Sequence, residues 1–348
     1  MKAGFLHELR DGVTPRAGAL LLAVLALQLG FIASYFGAFH EPTPHRIPVA
    51  VTAPAPALTE LVDRLNSLPG APLDARAVPS EESARRMIDR REVYGAFVVS
   101  AQDATDRLII ASGAGASVGQ ALVQIFTPLE DQQERAFTTE DAKPAQLGDA
   151  RGLSGFHLAL GWVVGGYLVA IAVSASKGSR PANPRRALVR LGSLLAYALL
   201  AGIGGALVSG AAFGAIDGHL GRLWWFGALL VFASGCCTMA LQAAFGYVGT
   251  GLAVLLFVVL GCPSAGGAYP APLLPPFWRA VGPWLPPGLG TEAIRGIVYF
   301  DSVGVGRSAL ILAGYALTGA VGTLVVARIT RPRPVVIPPN RSLVPVSR

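Results

Sequence analysis

Residues 17–39 read AGALLLAVLALQLGFIASYFGAF, lie between Arg16 and Glu41, and carry no charged side chain. Roughly 20 apolar residues suffice to cross a bilayer core, so this stretch predicts a membrane-spanning helix. Lys2, Arg10 and Arg16 ahead of it also resemble the start of a secretory signal. The apolar stretch is long for a signal core, however, and Gly37-Ala38-Phe39-His40 offers no small-x-small cleavage pattern, so an uncleaved anchor is expected. The whole chain follows the same pattern: 348 residues, 52% hydrophobic, 14% charged, mean hydropathy +0.52. Ordinary soluble domains carry about 25% charged residues, which makes a membrane protein the first hypothesis and excludes disorder as a description of the whole. Three cysteines without paired spacing exclude a disulfide framework and a zinc site.

Further uncharged stretches run from Gly152 to Ser176, Leu191 to Ile216, between Leu223 and Arg279, and from Ser308 to Ala327. Leu223 to Cys262 would form a helix of about 60 Å, which is two crossings of a core of about 30 Å. A hairpin is therefore expected near Gly246-Tyr247-Val248-Gly249. The expected fold is a membrane all-α protein with six transmembrane helices. It divides into a cytoplasmic segment 1–16, a first span 17–39, an extracytoplasmic α/β domain 40–152, a five-helix transmembrane domain 153–328 and a disordered, proline-rich cytoplasmic tail 329–348. A re-entrant or interfacial block at 263–307 separates the fifth and sixth spans.

Basic residues set the orientation. The first segment carries Lys2, Arg10 and Arg16; the connection after the second span carries Lys177, Arg180, Arg185, Arg186 and Arg190; the tail carries Arg328, Arg331, Arg333, Arg341 and Arg348. Six crossings put all of these on one side, and the positive-inside rule makes that side the cytoplasm, termini included. The outer segment 40–152 holds 16 of the 21 acidic residues, so the net charge of +7 records sidedness and argues against nucleic acid as a partner. Membrane lipids account for the basic segments directly. No Asp, Glu, Lys or Arg lies within the spans, whose polar groups are chiefly Gln28, His157 and Gln242, so no proton relay is visible. His157 reads as an interfacial residue at the outer end of its span. Gly161-x-x-x-Gly165 and Gly210-x-x-x-Gly214 allow close helix approach, within the chain or in a dimer.

Within 40–152, strands are expected at Ile47–Val51, Arg76–Val78, Tyr94–Ser100 and Arg107–Ala111, with helices at Leu58–Leu68, after Ser80, and around Val118–Leu129. Glu81-Glu82 is an acid pair that first-turn helix electrostatics explain without catalysis. Gly113-x-Gly115-x-x-x-Gly119 has a displaced third glycine and no repeated βαβ unit, so it reads as a glycine turn and not a dinucleotide loop. His40 and His45 have no ligand spacing. No cofactor, metal centre or catalytic group is expected.

The block is the most distinctive stretch: Pro263-Ser264-Ala265-Gly266-Gly267-Ala268-Tyr269-Pro270, then Leu274-Pro275-Pro276-Phe277-Trp278, then Leu285-Pro286-Pro287-Gly288 followed by Ala293-Ile294-Arg295. Prolines cut it into short helices, while Phe277, Trp278, Trp284, Tyr299 and Phe300 suggest an aromatic belt at the outer interface. This pattern closely resembles the ABC-2-type transporter permeases, nearest to their Pip-like (phage infection protein) branch. The layout agrees along the chain, although the outer domain lacks the long coiled-coil insertion many of that branch carry. The resemblance implies a permease subunit exporting an apolar or amphipathic compound, pairing with a second membrane subunit as a homodimer or heterodimer and with a cytoplasmic ATP-binding subunit. Its site residues here are Pro263, Gly266, Gly267, Pro270, Pro275, Trp278, Pro286, Gly288 and Arg295, with Lys177, Arg180, Arg185 and Arg186 as the ATPase contact. The chain itself is not expected to be an enzyme: Lys2, Lys143 and Lys177 are its only lysines and none precedes Ser or Thr as a Walker loop requires. The alternative is a non-transporting scaffold or receptor that works through its outer domain, because Arg180-Pro181-Ala182-Asn183-Pro184 is a poor coupling helix.

Overall fold

The computed structural model describes residues 14–100, 105–132, 135–149 and 151–329. Lys2, Arg10, Arg331, Arg333, Arg341, Arg348 and all but the first residue of the expected tail lie outside the described residues. Among the described residues, six helices are long and apolar enough to cross a membrane.

Helix α1 (Pro15–Phe39) begins where Thr14 accepts the Ala17 N–H at 3.2 Å, with Pro15 pre-set for the first turn. The chain then builds an α/β unit from β1 (Ile47–Thr52), α2 (Ala57–Asn66), β2 (Leu73–Ala77), α3 (Glu81–Asp89), β3 (Gly95–Val98), β4 (Thr105–Ile110), α4 (Ala116–Asp131) and β5 (Ala136–Asp141). The sheet order is β2-β1-β3-β4-β5, antiparallel only between β3 and β4. Strand alternation sends Ile47, Val49 and Val51 to one face with Leu65, Leu122 and Phe126, and Ala50 to the other with Ala84, Ile88 and Ile109. Ser80 caps α3 as expected, and Glu81 and Glu82 pair one turn on with Arg85 and Arg86 at 2.8 and 2.6 Å. Two elements differ from expectation. β2 begins at Leu73 and not Arg76, and β5, whose AFTTED sequence is polar and largely exposed at the sheet edge, carries no hydrophobic alternation to announce it.

Helices α5 (Ser154–Lys177), α6 (Pro184–Leu207), α7 (Leu220–Phe245), α8 (Tyr247–Val254), α9 (Gly261–Ser264), α10 (Pro276–Val281), α11 (Pro286–Tyr299) and α12 (Val305–Ile329) follow. The expected hairpin is present: α7 stops at Gly246, whose φ of +62° suits glycine, and Gln242 donates across the turn to Thr250 at 3.1 Å. The fifth candidate span is compound, running through α8, a π segment at 255–260 and α9. Pro263 lies inside it and lacks an N–H. The neighbouring Cys262 thiol and Ser264 hydroxyl donate to the Phe257 and Leu260 carbonyls, at 3.3 and 2.7 Å.

Helix α7 is the axis of the bundle. A Cβ on Gly166 of α5, Gly202 of α6 or Gly319 of α12 would strike the α7 backbone, so these three glycines set how closely the helices approach. Of the glycines picked from spacing, Gly161 faces open space and Gly214 lies beyond the end of α6, while Gly165 gives close approach to α6, where the Tyr197 hydroxyl would stand 3.2 Å from a Cβ. Along α7, contacts advance with α5 (Gly166 at Val231) and α12 (Gly319 at Cys236, Gly322 at Ala240) but recede with α6 (Gly202 at Ala228, Leu194 at Gly235). The 177–186 connection, the Gly246 turn and Arg328 therefore share one end of the bundle, and the sheet unit occupies the other.

Gly202→Ala should destabilise the detergent-solubilised protein by about 1–3 kcal/mol, as overpacking against a backbone does. Gly192→Ala, on the same helix with nothing within 4 Å of the new methyl, should be neutral or stabilise by up to about 1 kcal/mol. Equal thermal shifts for the two would refute the packing role.

Candidate functional site

The proline-rich block is drawn into the protein. Of its expected site residues, Pro263, Gly266, Gly267, Pro270, Trp278, Pro286, Gly288 and Arg295 are buried and Pro275 is half-buried. Each proline at 276 and 286 opens a short helix, where a missing N–H costs nothing. Glycines allow the turns to nest: a Cβ on Gly282 would strike the Ser264 carbonyl, and one on Gly288 the Gly282 carbonyl. Gly290 packs on Leu230 and Ala159. Leu230 lies about 15 Å along α7 from its start, at 1.5 Å per residue.

On either side of this deep stretch the chain returns to the sheet unit. Pro270 seats on Gly115 and Tyr299 on Gly113, where a Cβ would collide in both cases. The glycine turn read from the sequence is thus the seat for the block. Ser117 donates to the Ala268 carbonyl at 2.8 Å, the His45 N–H to the Pro272 carbonyl at 3.0 Å, and Leu273 joins the sheet core. The aromatic residues divide accordingly. Phe277 and Trp284 are exposed, as a belt requires, whereas Trp278 and Phe300 are buried and Tyr299 is half-buried against Gly113.

Ionic contacts close the junction. Arg295, 3% exposed, donates to Glu292 Oε1 and to the Gly267 carbonyl, both at 3.0 Å. Arg91, at the end of α3, reaches across to the Glu292 carboxylate and to its carbonyl at 3.0 Å, with its guanidinium over the Phe300 ring at 5.2 Å. Burial alone would raise the Glu292 pKa, but the two guanidiniums outweigh it and hold the carboxyl below its usual range. Tyr94 beside it is pushed up to about 12, by burial first and by the Glu292 charge second. Arg295 belonged to the expected set; Arg91 did not, since nothing in sequence links α3 to a helix 201 residues later.

Between the sheet unit and the block lies a cleft of about 380 Å³, lined by Arg90, Arg91, Arg279 and Arg307, with Gly266, Gly288 and Glu292 in its wall. This volume suits a small ligand or head group. A second cavity, of about 300 Å³, lies in the sheet unit beside Asp106 and Glu130. Arg135 clasps Asp106 through contacts of 2.5 and 2.9 Å, while Glu130 Oε2 is buried without a hydrogen-bond partner.

At the opposite end, the expected ATPase contact divides. The Arg180 guanidinium donates to the Ala243 and Ala244 carbonyls at 3.1 and 3.2 Å, capping the end of α7. Lys177, Arg185 and Arg186 are exposed, and among the described residues their side chains make no ion pair or hydrogen bond. Asn183 caps α6 by accepting the Arg186 N–H at 2.9 Å, so residues 178–183 form a non-helical link. Comparison with family models, with curated proteins and with solved structures returned no match.

Two outcomes follow from this electrostatics. Glu292→Gln leaves Arg295 buried with its counter-charge gone; the loss should be about 1–2 kcal/mol, below the roughly 3–5 of a fully buried pair because the Glu292 side chain is 42% exposed. A lowered melting temperature in detergent checks it. Glu130 is pushed up to about 7, by burial and then by the hydrogen bond and charge of Asp106. The folded state therefore binds more protons than the unfolded state between about pH 4.5 and 7, and stability falls as pH rises through that window, by at most about 1.4 kcal/mol per unit. Asp106 has the opposite sign: burial opposes, but Arg135, the Ser100 N–H and Glu130 together lower it, so its contribution is lost on acidification below its usual value. Melting curves between pH 4.5 and 8 should slope downward, and Glu130→Gln should flatten them; an unchanged slope in the variant would exclude Glu130 as the cause.

Proposed function

We propose that this chain is a membrane permease subunit of the ABC-2 type, exporting an apolar or amphipathic compound with a separate ATPase. The observation that carries the reading is the path of the block. It leaves the sheet unit at Leu273, descends to the Gly282–Gly290 level among α5, α7 and α9, and climbs back to the sheet unit at Tyr299. A short broken-helix hairpin of this kind, enclosed by spanning helices, supports a re-entrant element that faces a substrate path from one side. In this reading the sheet unit is extracytoplasmic and both termini are cytoplasmic, which follows from the basic residues gathered at the far end of the bundle. Lys177, Arg185 and Arg186 contact the ATP-binding subunit. A second membrane subunit, identical or related, completes the transporter.

One observation favours a second reading, that of a scaffold or receptor acting through the sheet unit. The 178–183 link has no coupling helix and Arg180 is committed to capping α7. The two readings separate in one experiment. Affinity purification of the tagged full chain from its native membrane should recover a nucleotide-binding subunit, and Arg185→Glu with Arg186→Glu should reduce its recovery about tenfold or more. Recovery of no such subunit, together with no ATP-dependent transport after reconstitution, would leave the scaffold.

A further inference from the structure

We infer that the cleft between the sheet unit and the block is a binding site for a phosphate group, of the kind carried by the head group of an anionic amphiphile. Its wall contains four arginines, Arg90, Arg91, Arg279 and Arg307, against one carboxylate, Glu292. That carboxylate is already shared by Arg91 and by Arg295. The remaining three guanidiniums have no acidic partner among the described residues: Arg307 makes only a 3.4 Å contact with the Pro283 carbonyl and lies over Trp284, and Arg90 and Arg279 make no side-chain hydrogen bond or ion pair. Ser308, also in the wall and 4% exposed, forms no side-chain hydrogen bond among the described residues.

Three uncompensated guanidiniums and the Ser308 hydroxyl along one cleft suit an anion with several acceptor oxygens. Guanidiniums bind phosphate through paired, charge-assisted hydrogen bonds, and phosphate offers more acceptors than a carboxylate, enough for three donors arriving from separate elements. Arg90 comes from the sheet unit, Arg279 from α10 and Arg307 from α12. The anion would therefore bridge all three bodies.

The surroundings suit an amphiphile. Trp284, stacked with Arg307 at 5.2 Å, is 59% exposed and Phe277, two residues before Arg279, is 56% exposed. Both rings stand where an acyl chain would leave a head group held in the cleft. This site requires only residence in a membrane and is independent of any coupling to an ATPase.

The test uses the purified full chain in an uncharged detergent, with dihexanoyl phosphatidylglycerol, dihexanoyl phosphatidylcholine and inorganic phosphate as probes, read by native mass spectrometry and by Trp fluorescence. Phosphatidylglycerol should bind at least about tenfold more tightly than phosphatidylcholine, and Arg279→Gln with Arg307→Gln should abolish that preference. Trp284→Phe should remove the fluorescence response but not the mass adduct. Arg151→Gln, at an exposed arginine outside the cleft, should leave the preference intact. Competition by inorganic phosphate, lost in the Arg279/Arg307 variant, would identify the free anion as a sufficient ligand; its absence alongside lipid binding would identify the amphiphile. If the double variant does not fold, the exposed Arg90→Gln should still weaken phosphatidylglycerol binding severalfold. Equal binding of the two lipids by the wild-type protein, or a preference that survives these substitutions, would overturn the inference.

Discussion

A broken helix can lie at bilayer depth only if protein encloses its backbone. Each unpaired peptide group exposed to hydrocarbon costs several kcal/mol, and a proline-rich chain produces such groups at every turn. In the proposed reading of the block, much of the architecture answers this constraint. Helices α5 and α7 wall the block through Ala159 and Leu230, Cys262 and Ser264 engage carbonyls around the interrupted fifth span, and the block's turns nest where only glycine fits. The sheet unit closes the open end, with Gly113 and Gly115 beneath Tyr299 and Pro270.

The same enclosure explains the electrostatics of the junction. Arg295 cannot reach solvent, so its charge is met by Glu292 and by the Gly267 carbonyl, which also ties one limb of the block to the other. Arg91 then joins Glu292 from the sheet unit, making one carboxylate serve two elements. A buried ion pair adds little net stability against apolar replacement, but it discriminates strongly between docked and undocked geometries, because a misplaced partner leaves a buried charge unmatched.

Span positions, the Gly246 hairpin, the proline-initiated helices and the cap at Ser80 were legible in the sequence, because each rests on local chemistry: an uncharged run of sufficient length, a residue that takes positive φ, an absent N–H, a hydroxyl before a helix. What could not be read was non-local. The Gly-x-x-x-Gly spacing singled out residues 161 and 165, yet Gly166, Gly202 and Gly319 approach the α7 backbone, since the contacting face depends on how the helices rotate against one another. β5 was silent because an exposed edge strand needs no hydrophobic alternation. Arg91 and the arginine-lined cleft were missed because their elements are far apart in the chain. The one available hint was the presence of Arg279, Arg295 and Arg307 in a block that is otherwise largely apolar.

The placement of Leu273 and Phe300 bears on the order in which the protein is made. Leu273 completes one core of the sheet unit and Phe300 the other, while Ala38, at the end of the first helix, is covered by Leu274 and Trp278. All of these partners are synthesised long after the sheet unit itself has left the ribosome. During that interval the unit has two apolar sockets uncovered, and arrival of the block seals them. Domain and bundle therefore mature as one cooperative object, and a chain truncated before residue 273 would present a sheet unit whose core is still open.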